Sequence, residues 1–374
     1  MAVLDLPKWF DLHAHFRQGR AMAAYVEAHW RMGCAGVLAM PNTLPPVARV
    51  VGPANEKAWS IESYRKALCA AGAERFEQLI IPLYLTRETT VAMIEEGAGL
   101  GSLQACKYYP PHGTTNSEFG VPLEELSRGS VLKAMEETGT VLCIHGEAHG
   151  LQGEQYFDAS RSAESVFYEE VMPRVVEAYP DLKMVCEHVT SQAAVNFVRS
   201  AGARVAATVT PQHLLFTVGH LIQGLRYHLY CLPIVKFSKD REALREAVTD
   251  LNQQQFFAGT DSAPHTTKAT ECGCAAGCFT GGCAPQLYAQ AFEEAGVDLL
   301  TPSGTACFER FLCRNGPDFY GFPLAADRFQ LEPGSESLSP LVTPEGRVIP
   351  LPIGMEIDLK WRLAGAQSDS ERFD

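Results

Sequence analysis

The sequence predicts an α/β fold of the (β/α)8 TIM-barrel type, and three observations support that class. Short apolar or β-branched segments alternate with longer amphipathic ones along the 374 residues, which is typical of parallel strands joined by helical crossovers. Eight of the short segments have the length and composition of strands. The longest connections follow strands rather than helices, as in barrels whose post-strand loops form the active site.

The predicted elements follow one another in strand-then-helix order. The eight strands are 8–13, 36–40, 79–85, 103–108, 141–145, 183–187, 204–209 and 255–260. The clearest helical patterns between them are 21–32, 55–71, 124–138, 162–178, 191–201 and 239–251. The long loops that follow strands are 41–54, 109–123, 210–230 and 261–285.

One domain over residues 1–374 is expected, because no internal repeat, low-complexity linker or shift in composition divides the chain. From about residue 330 the sequence is rich in Pro, Gly and Ser, which predicts a short C-terminal extension that packs on the barrel or trails from it. Within this extension, 348–351 and 355–361 are possible strands, and the charged segment 367–374 is expected to fray.

Composition and charge narrow the functional class. The chain is 46% hydrophobic but has no run of apolar residues long enough to cross a bilayer, so no membrane span is expected. A net charge of −13 without a basic patch argues against a nucleic-acid partner and favours a small-molecule substrate. A motif of metal-ligand type begins near residue 13, which leaves no room for a signal peptide and predicts a cytoplasmic protein.

The chain has twelve cysteines, and most are expected to be buried thiols. Those that lie inside apolar runs are Cys34, Cys106, Cys143, Cys186 and Cys231. Four others lie within twelve residues of one another: Cys272, Cys274, Cys278 and Cys283. A structural zinc site is one interpretation of that cluster. Since it contains no Cys-x2-Cys pair, a substrate-side loop with reduced thiols is favoured.

The most informative motif is Asp11-Leu-His-Ala-His-Phe-Arg17. Residues of like parity share one face of a strand, so His13 and His15 can point at one metal ion. Imidazole is a common ligand of transition metals, and a pair at a strand end leaves coordination sites for other groups and water. Two unrelated histidines are the alternative for this motif taken alone.

Further polar residues occur where predicted strands give way to loops, namely Lys107, His145, His188 and Asp261. Taken singly, each has a structural alternative as a hydrogen-bonded or salt-bridged residue. Together with the two earlier histidines they match the nitrogen and oxygen ligand set of a two-metal zinc site. A protonated Lys107 cannot donate a lone pair, but its neutral amine can react with carbon dioxide to give a carbamate able to bridge two ions.

In order and content these motifs resemble the dihydroorotase family, in its short bacterial-type class, within the amidohydrolase superfamily. The resemblance runs from about residue 9 to about residue 323. Besides the first motif it rests on Met40-Pro-Asn-Thr-Leu-Pro-Pro46, Lys107-Tyr-Tyr-Pro110, Thr114-Thr-Asn116, His145-Gly-Glu147, Glu187-His-Val-Thr190, Thr208-Val-Thr-Pro-Gln-His213, Cys231-Leu-Pro233, Gly259-Thr-Asp-Ser-Ala-Pro-His265 and Cys272-Gly-Cys-Ala-Ala-Gly-Cys-Phe279. Relative to the family pattern, the last loop lacks one residue before Cys272 and has one extra near Ala275.

The resemblance implies an amidohydrolase barrel with two zinc ions per subunit, bridged by carboxylated Lys107 and a hydroxide. The first ion would be held by His13, His15, Lys107 and Asp261, and the second by Lys107, His145 and His188. Asp261 would also be the catalytic proton shuttle in the reversible cyclisation of N-carbamoyl-L-aspartate to (S)-dihydroorotate, a step of pyrimidine synthesis. A homodimer is expected, as in many relatives.

The resemblance also implies a set of substrate-binding residues. They are Arg17, Asn42, Thr114, Thr115, Leu232, His265 and Ala276. Arg17, Asn42 and His265 would surround the free carboxylate, which Arg17 can engage bidentately. Backbone groups of Leu232 and Ala276 would contact the pyrimidine ring, and the two threonines lie on a loop that closes over substrate in relatives. The plain alternatives are a surface ion pair for Arg17 and a turn residue for Asn42.

Two other functions compete with this interpretation. Dihydropyrimidinase, hydantoinase and allantoinase use a similar metal set, but they usually begin with extra strands before the His-x-His motif, for which this sequence leaves no space. Arg17 and the segment 208–213 also favour dihydroorotase. A non-catalytic homologue that acts as a scaffold is disfavoured, because every ligand position and the carboxylate-binding trio are present.

Overall fold

The computed structural model describes residues 3–364 of the chain. Its strands form a central barrel and several small sheets outside it. In chain order they are β1 (Leu4–Pro7), β2 (Trp9–Ala14), β3 (Cys34–Ala39), β4 (Val47–Arg49), β5 (Trp59–Ser60), β6 (Gln78–Ile80), β7 (Leu83–Tyr84), β8 (Ala105–Tyr108), β9 (Val141–His145), β10 (Met184–Glu187), β11 (Val205–Val209), β12 (Phe256–Ala258), β13 (Ala269–Thr270), β14 (Gly273–Cys274), β15 (Arg328–Glu336), β16 (Leu341–Thr343), β17 (Gly346–Val348) and β18 (Leu359–Leu363).

The helices alternate with strands along the chain, and most of them pack on the outer side of the barrel, although the last one packs Phe319 and Tyr320 against the side-chain cluster inside it. In chain order they are α1 (Met22–Arg31), α2 (Ile61–Ala70), α3 (Val91–Gly99), α4 (Leu123–Ser127), α5 (Val131–Thr138), α6 (Ala163–Val166), α7 (Met172–Ala178), α8 (Gln192–Ser200), α9 (Pro211–Leu215), α10 (Val218–Ile222), α11 (Ser238–Thr249), α12 (Ala284–Glu294), α13 (Pro302–Glu309) and α14 (Asn315–Tyr320). Single π-helical turns at Phe167–Val171 and Arg310–Arg314 join α6 to α7 and α13 to α14. Every helix among residues 3–364 is too short or too polar to span a membrane.

Within residues 3–364, eight parallel strand positions form the predicted (β/α)8 barrel. One arc contains β2, β3 and β6, and the other runs from β7 to β12. The third strand position is divided into β6 and β7 at Pro82, since proline cannot donate a ladder hydrogen bond. A parallel bridge between Ala14 and Ser262 joins the last strand to the first. The Asp261 amide also donates to the His13 carbonyl at 2.8 Å, which closes the barrel.

The alternation of side chains along the strands determines what faces the barrel interior. In β9, Cys143 belongs to the cluster inside the barrel, whereas Ile144 packs in the layer between strands and helices. His145 therefore faces inward at the carboxyl end of its strand. The same parity in β8 and β10 directs Lys107 and Glu187 inward. The inner face thus changes from apolar to polar at the mouth where the long loops begin.

Two predicted helices differ from the structure. The predicted helix 55–71 begins only at Ile61, because Trp59–Ser60 forms a strand and Ser60 caps the helix by accepting a hydrogen bond from the Ser63 amide at 3.0 Å. The predicted helix 124–138 is divided into α4 and α5 around Gly129. Glycine is a poor helix former, which explains the break.

A small antiparallel sheet outside the barrel joins the two ends of the chain. Strand β15 pairs with β1 on one side and with β18 on the other. The expectation that the sequence leaves no space for an extra strand before the barrel strand with the His-x-His motif is therefore wrong, since Leu4–Pro7 forms one. The possible strands 348–351 and 355–361 are shifted, with β17 ending at Val348 and β18 beginning at Leu359. The segment 367–374 lies outside the described residues.

Candidate active site

Three predicted metal ligands meet where the first and last barrel strands join. One ligand atom from each of His13, His15 and Asp261 lies within 4.8 Å of the others, and all three residues are buried. The Oδ1 atom of Asp261 is 2.9 Å from His15 Nε2 and 3.4 Å from His13 Nε2. Among residues 3–364 this is the one group of three or more such side chains with metal-binding spacing.

Two further imidazoles continue the arrangement around the mouth. The ring centroid of His188 is 4.8 Å from that of His13 and 4.8 Å from that of His145. Within the described chain, the Nδ1 atom of His188 is buried and has no hydrogen-bond partner. His145 donates from Nε2 to Glu147 Oε2 at 2.8 Å, which leaves its Nδ1 as the atom able to bind a metal.

Lys107 is fully buried beside these imidazoles. Its Nζ atom has no hydrogen-bond partner among residues 3–364 and lies 4.7 Å from the centroid of the Tyr109 ring. Burial lowers the pKa of Lys107 to about 8, although the carboxylates of Glu187 and Asp261 oppose that shift. A buried ammonium without hydrogen bonds is unfavourable, so the neutral amine, which is the form that reacts with carbon dioxide, is more populated here than in an exposed lysine. The orphaned nitrogens of Lys107 and His188 fit a bridging two-metal centre.

Burial keeps three of the imidazoles in the neutral, metal-binding form. It lowers the pKa of His15 to about 4, with a further contribution from the positive charge of Arg17. Burial also lowers the pKa of His145, and burial together with His145 holds the pKa of His188 well below its ordinary value. A neutral imidazole has a lone pair for a cation, so the electrostatics of the site match the proposed ligand set.

At His13 and Asp261, by contrast, the neighbouring groups favour the charged form. Burial alone would lower the pKa of His13, but the carboxylates of Glu187 and Asp261 outweigh it and raise that pKa. Burial alone would raise the pKa of Asp261, but hydrogen bonds with His13 and His15 hold it well below its usual range. Asp261 is therefore an ionised carboxylate, which is the form that binds a cation.

Buried carboxylates orient the imidazoles, and sequence reasoning did not assign them this role. Glu187 Oε2 accepts hydrogen bonds from His13 Nδ1 at 2.7 Å and from Thr208 Oγ1 at 2.6 Å. The Thr208 hydroxyl in turn accepts from the His188 amide at 2.7 Å. Carboxylates in this position fix the ring and tautomer of a metal-binding histidine. The sequence signal for this role was an acidic residue one or two positions from a predicted ligand, as in Glu187-His188 and His145-Gly-Glu147.

Asp11 supports the same region from the layer between strands and helices, where its Oδ2 atom lies 3.3 Å from His29 Nε2 of α1. Its Oδ1 atom accepts from the Thr260 amide at 2.9 Å and the His13 amide at 3.3 Å, and its Oδ2 accepts from Thr260 Oγ1 at 2.6 Å. These bonds tie the end of the first strand to the end of the eighth. An acidic residue within an apolar strand, two positions before a predicted ligand, was the signal for this role.

A cavity opens beside the three converging ligands. Six of the predicted substrate-binding residues line it: Arg17, Asn42, Thr114, Thr115, Leu232 and Ala276. His15 and Asp261 line the same cavity, so two predicted metal ligands share one space with the predicted substrate-binding residues. His265 lies behind this wall. Its Nε2 atom is 3.2 Å from Arg17 Nη2 and donates to the Ala276 carbonyl at 2.8 Å.

Hydrogen bonds hold the loop 109–123 against this cavity. Asn42 donates from Nδ2 to the Thr115 carbonyl at 2.9 Å, and Asn116 donates from its Nδ2 to the Asn42 carbonyl at 3.0 Å. Thr115 Oγ1 donates to the Ala276 carbonyl at 3.2 Å. The loop therefore contributes part of the cavity wall, and Asn42 acts as its anchor.

The thiol cluster does not assemble into a metal site. Cys278 and Cys283 are buried, whereas Cys272 is exposed at the turn between β13 and β14. Among the described residues, no three of the four cluster sulfurs lie within 4.8 Å of one another. All twelve cysteines of the chain lie among residues 3–364, and all carry free thiols.

Comparisons with known proteins give a consistent result. No protein-family model matches the chain. The dihydroorotase of Stutzerimonas stutzeri is 40% identical over 368 residues, which cover 97% of this chain and 98% of that protein. The dihydroorotase of Pseudomonas fluorescens is 40% identical over 360 residues, with coverages of 94% and 95%.

Solved structures show the same relationship at the level of the fold. The dihydroorotase of Saccharomyces cerevisiae, in complex with 5-fluoroorotic acid, has a TM-score of 0.82 at 26% identity and covers 97% of this chain and 98% of its own. A D-hydantoinase from Thermus sp. has a TM-score of 0.73 at 14% identity, with coverages of 97% and 83%. At that identity the second likeness shows the fold alone.

Proposed function

This chain belongs to the dihydroorotase family, which makes it a cyclic amide hydrolase with a small-molecule substrate, and we propose that it interconverts N-carbamoyl-L-aspartate and (S)-dihydroorotate at a binuclear zinc centre. The observation that carries this proposal is the shared cavity, in which His15 and Asp261 face the same space as Arg17 and Asn42. Metal-ligand chemistry and anion-binding chemistry therefore meet in one cavity.

The proposed centre uses the side chains that converge at the barrel mouth. One zinc ion is assigned to His13, His15, carboxylated Lys107 and Asp261, and the other to carboxylated Lys107, His145 and His188. The orphaned Lys107 Nζ and His188 Nδ1 atoms support this assignment. The neutral imidazoles of His15, His145 and His188 support it as well. When bound, two zinc ions lower the pKa of a shared water and polarise a carbonyl, which allows amide hydrolysis near neutral pH.

We assign the proton transfer to Asp261. Its Oδ1 atom faces His13 and His15, and the residue also lines the cavity. An ionised carboxylate at this position can accept the proton released as the ring amide opens and return it to the leaving nitrogen. In the direction of cyclisation the same group runs the transfer in reverse.

Arg17 is assigned to the substrate carboxylate that does not react. Among residues 3–364 its guanidinium has no carboxylate partner within salt-bridge distance, and it lies in the cavity wall. A planar guanidinium fixes both the position and the angle of a carboxylate, which orients the ring for attack. Asn42 adds a buried Oδ1 atom without a partner in the described residues. His265 lies next to Arg17, and the Pro264 carbonyl accepts a hydrogen bond from Arg17 Nε at 3.4 Å.

The function is tested by ring opening of dihydroorotate, followed by ultraviolet absorbance, with zinc-loaded protein. Wild type should be active and Asp261→Asn should lose activity, because an amide cannot accept the proton. Asp327→Asn is the control, since Asp327 is an exposed acid paired with Lys8 away from the cavity. A wild-type protein with two zinc ions but no turnover would overturn the substrate assignment.

The remaining parts of the proposal concern the state of the protein in the cell. Twelve free thiols suit a reducing compartment, and this supports a cytoplasmic location. A homodimer follows from the family resemblance, and light scattering of the purified protein measures it directly. A monomer at micromolar concentration would contradict the dimer.

A further inference from the structure

Lys268 has an unusual environment next to the substrate cavity. The residue is 6% exposed, and its ammonium donates hydrogen bonds to three backbone carbonyls, those of Tyr230 at 2.7 Å, Ala275 at 2.5 Å and Gly277 at 2.5 Å. No acidic side chain within residues 3–364 forms a salt bridge with it. The main chain therefore satisfies all three donors, while the positive charge has no acidic counterpart in contact.

The ammonium joins the two backbone segments that form one wall of the cavity. The Tyr230 carbonyl accepts from Lys268 and also from the Gly277 amide at 2.9 Å. Leu232, which lines the cavity, lies two residues beyond Tyr230. Loss of the ammonium would leave one backbone bond between these segments, so the separation of Leu232 from Ala276 depends on Lys268.

The orientation of Ala276 depends on the same contacts. The carbonyls of its neighbours, Ala275 and Gly277, both accept from Lys268. The Ala276 carbonyl instead accepts from His265 Nε2 and Thr115 Oγ1. Lys268 thus fixes the 275–276 and 277–278 peptides, while Thr115 and His265 hold the 276–277 peptide between them.

The charge of Lys268 also acts on the anion-binding end of the cavity. Burial lowers the pKa of His265 to about 3, and the positive charges of Arg17 and Lys268 add to that shift. His265 is therefore neutral at physiological pH and keeps the Nε2 proton that it donates to Ala276. Two cations without acidic partners in contact, one in the wall and one behind it, make the end of the cavity next to Arg17 more positive, which favours an anionic group there.

We propose that Lys268 is a positioning residue for substrate binding, which holds Leu232 and Ala276 in the cavity wall through three carbonyls and adds its charge to that of Arg17. This inference rests on the proposed function. Lys268 does not touch the substrate, so its effect is exerted through the backbone and the electrostatic field. The same role predicts that it affects substrate affinity more than the chemical step.

The test compares three full-length, zinc-loaded variants in the ring-opening assay. Lys268→Met keeps the length of the side chain but removes the charge and all three donors, and we expect its KM to rise about tenfold with a much smaller change in kcat. Lys268→Arg keeps the charge but places a larger group among the carbonyls, so its KM should fall between those of wild type and Lys268→Met. Lys66→Met, an exposed lysine of α2, should resemble wild type.

Zinc content and thermal unfolding are measured for every variant. A lower Tm with an unchanged KM in both Lys268 variants would show a purely structural role and overturn the inference. If Lys268→Met does not fold, Lys268→Arg decides alone: a raised KM supports the inference and a wild-type KM overturns it. An inactive wild type would overturn the proposed function together with this inference, whereas an active wild type with unaffected variants would overturn the inference only.

Discussion

Glu187→Gln tests whether a buried carboxylate organises the metal centre. Glu187 is fully buried, and its Oε2 atom accepts hydrogen bonds from His13 Nδ1 at 2.7 Å and Thr208 Oγ1 at 2.6 Å. Glutamine has the same shape but lacks the charge, and a hydrogen bond to a carboxylate is about twice as strong as one to a neutral acceptor. The His13 ring would then be held less firmly, and its Nε2 atom would be a weaker donor to zinc.

The expected magnitude follows from the effect of such supporting groups on metal affinity. Loss of one typically weakens binding by about 10- to 100-fold, or about 1.4–2.7 kcal/mol. Glu187→Asp should behave similarly, because shortening the side chain by one bond withdraws the carboxylate by about 1.5 Å and breaks the contact with His13. Both changes are conservative in volume, so the fold should persist.

The assay is competition for zinc between each purified variant and a chromophoric chelator at fixed pH. Glu56→Gln, which changes an exposed glutamate in the loop before β5, provides the control and should bind zinc like wild type. Cobalt-substituted protein gives a second readout, because the visible spectrum reports the ligand geometry of each ion. Zinc affinity within twofold of wild type in both Glu187 variants would refute the assigned role.

Three further predictions address other parts of the structure. Lys107→Ala should lose activity and at least one zinc ion, with partial recovery on adding short carboxylic acids; unchanged zinc content by metal analysis would contradict a carbamate bridge. His265 resists protonation in the folded protein, whereas in the unfolded chain it takes a proton below about pH 6.5, so the protein loses stability as the pH falls. His265→Gln should remove up to about 2 kcal/mol of that loss at about pH 5, measured by urea unfolding. Gly146→Ala should destabilise by about 1–3 kcal/mol, because its new Cβ would lie 2.2 Å from the Tyr168 hydroxyl. Gly99→Ala, with nothing within 4 Å, should be stabilising by about 0.5–1 kcal/mol in the same measurement.

The barrel and its polar mouth could be predicted because both depend on short-range pattern. Apolar segments of strand length fixed the positions of the strands, and parallel strands all present their carboxyl ends at one side. Residues such as Lys107, His145 and Asp261, each at the end of a predicted strand, were therefore expected to lie close together. No knowledge of contacts between distant parts of the chain was needed for that step.

Long-range partners explain most of what the sequence could not show. Glu187 supports His13, which is 174 residues away, and its place in a buried strand gave no sign of that contact. Strand β15 was missed because Pro333 and Gly334 obscure its alternation, and its partner β1 lies at the other end of the chain. Pairing of this kind is determined by the assembled barrel rather than by local preference.

The wall of the cavity shows the same limit of prediction from sequence. Asn42 meets Thr115 across 73 residues, and Thr115 meets Ala276 across 161. Each contact joins a side chain to a backbone carbonyl, and a carbonyl is present at every residue. The identity of the partner therefore has no signature in the sequence, and only the family resemblance identified these positions.

Backbone conformation adds a constraint that links the two halves of the site. Arg17, His188 and Asp261 have φ values of 56°, 40° and 49°, which lie in the left-handed region that non-glycine residues rarely occupy. Each such residue costs on the order of 1–3 kcal/mol and persists only where surrounding contacts hold it. Here the His188 amide donates to Thr208 Oγ1, and the Asp261 amide donates to the His13 carbonyl. The chain turns sharply at these strand ends, so side chains that would otherwise continue along the strand point into the mouth of the barrel. The backbone strain is therefore coupled to the convergence of the predicted ligands.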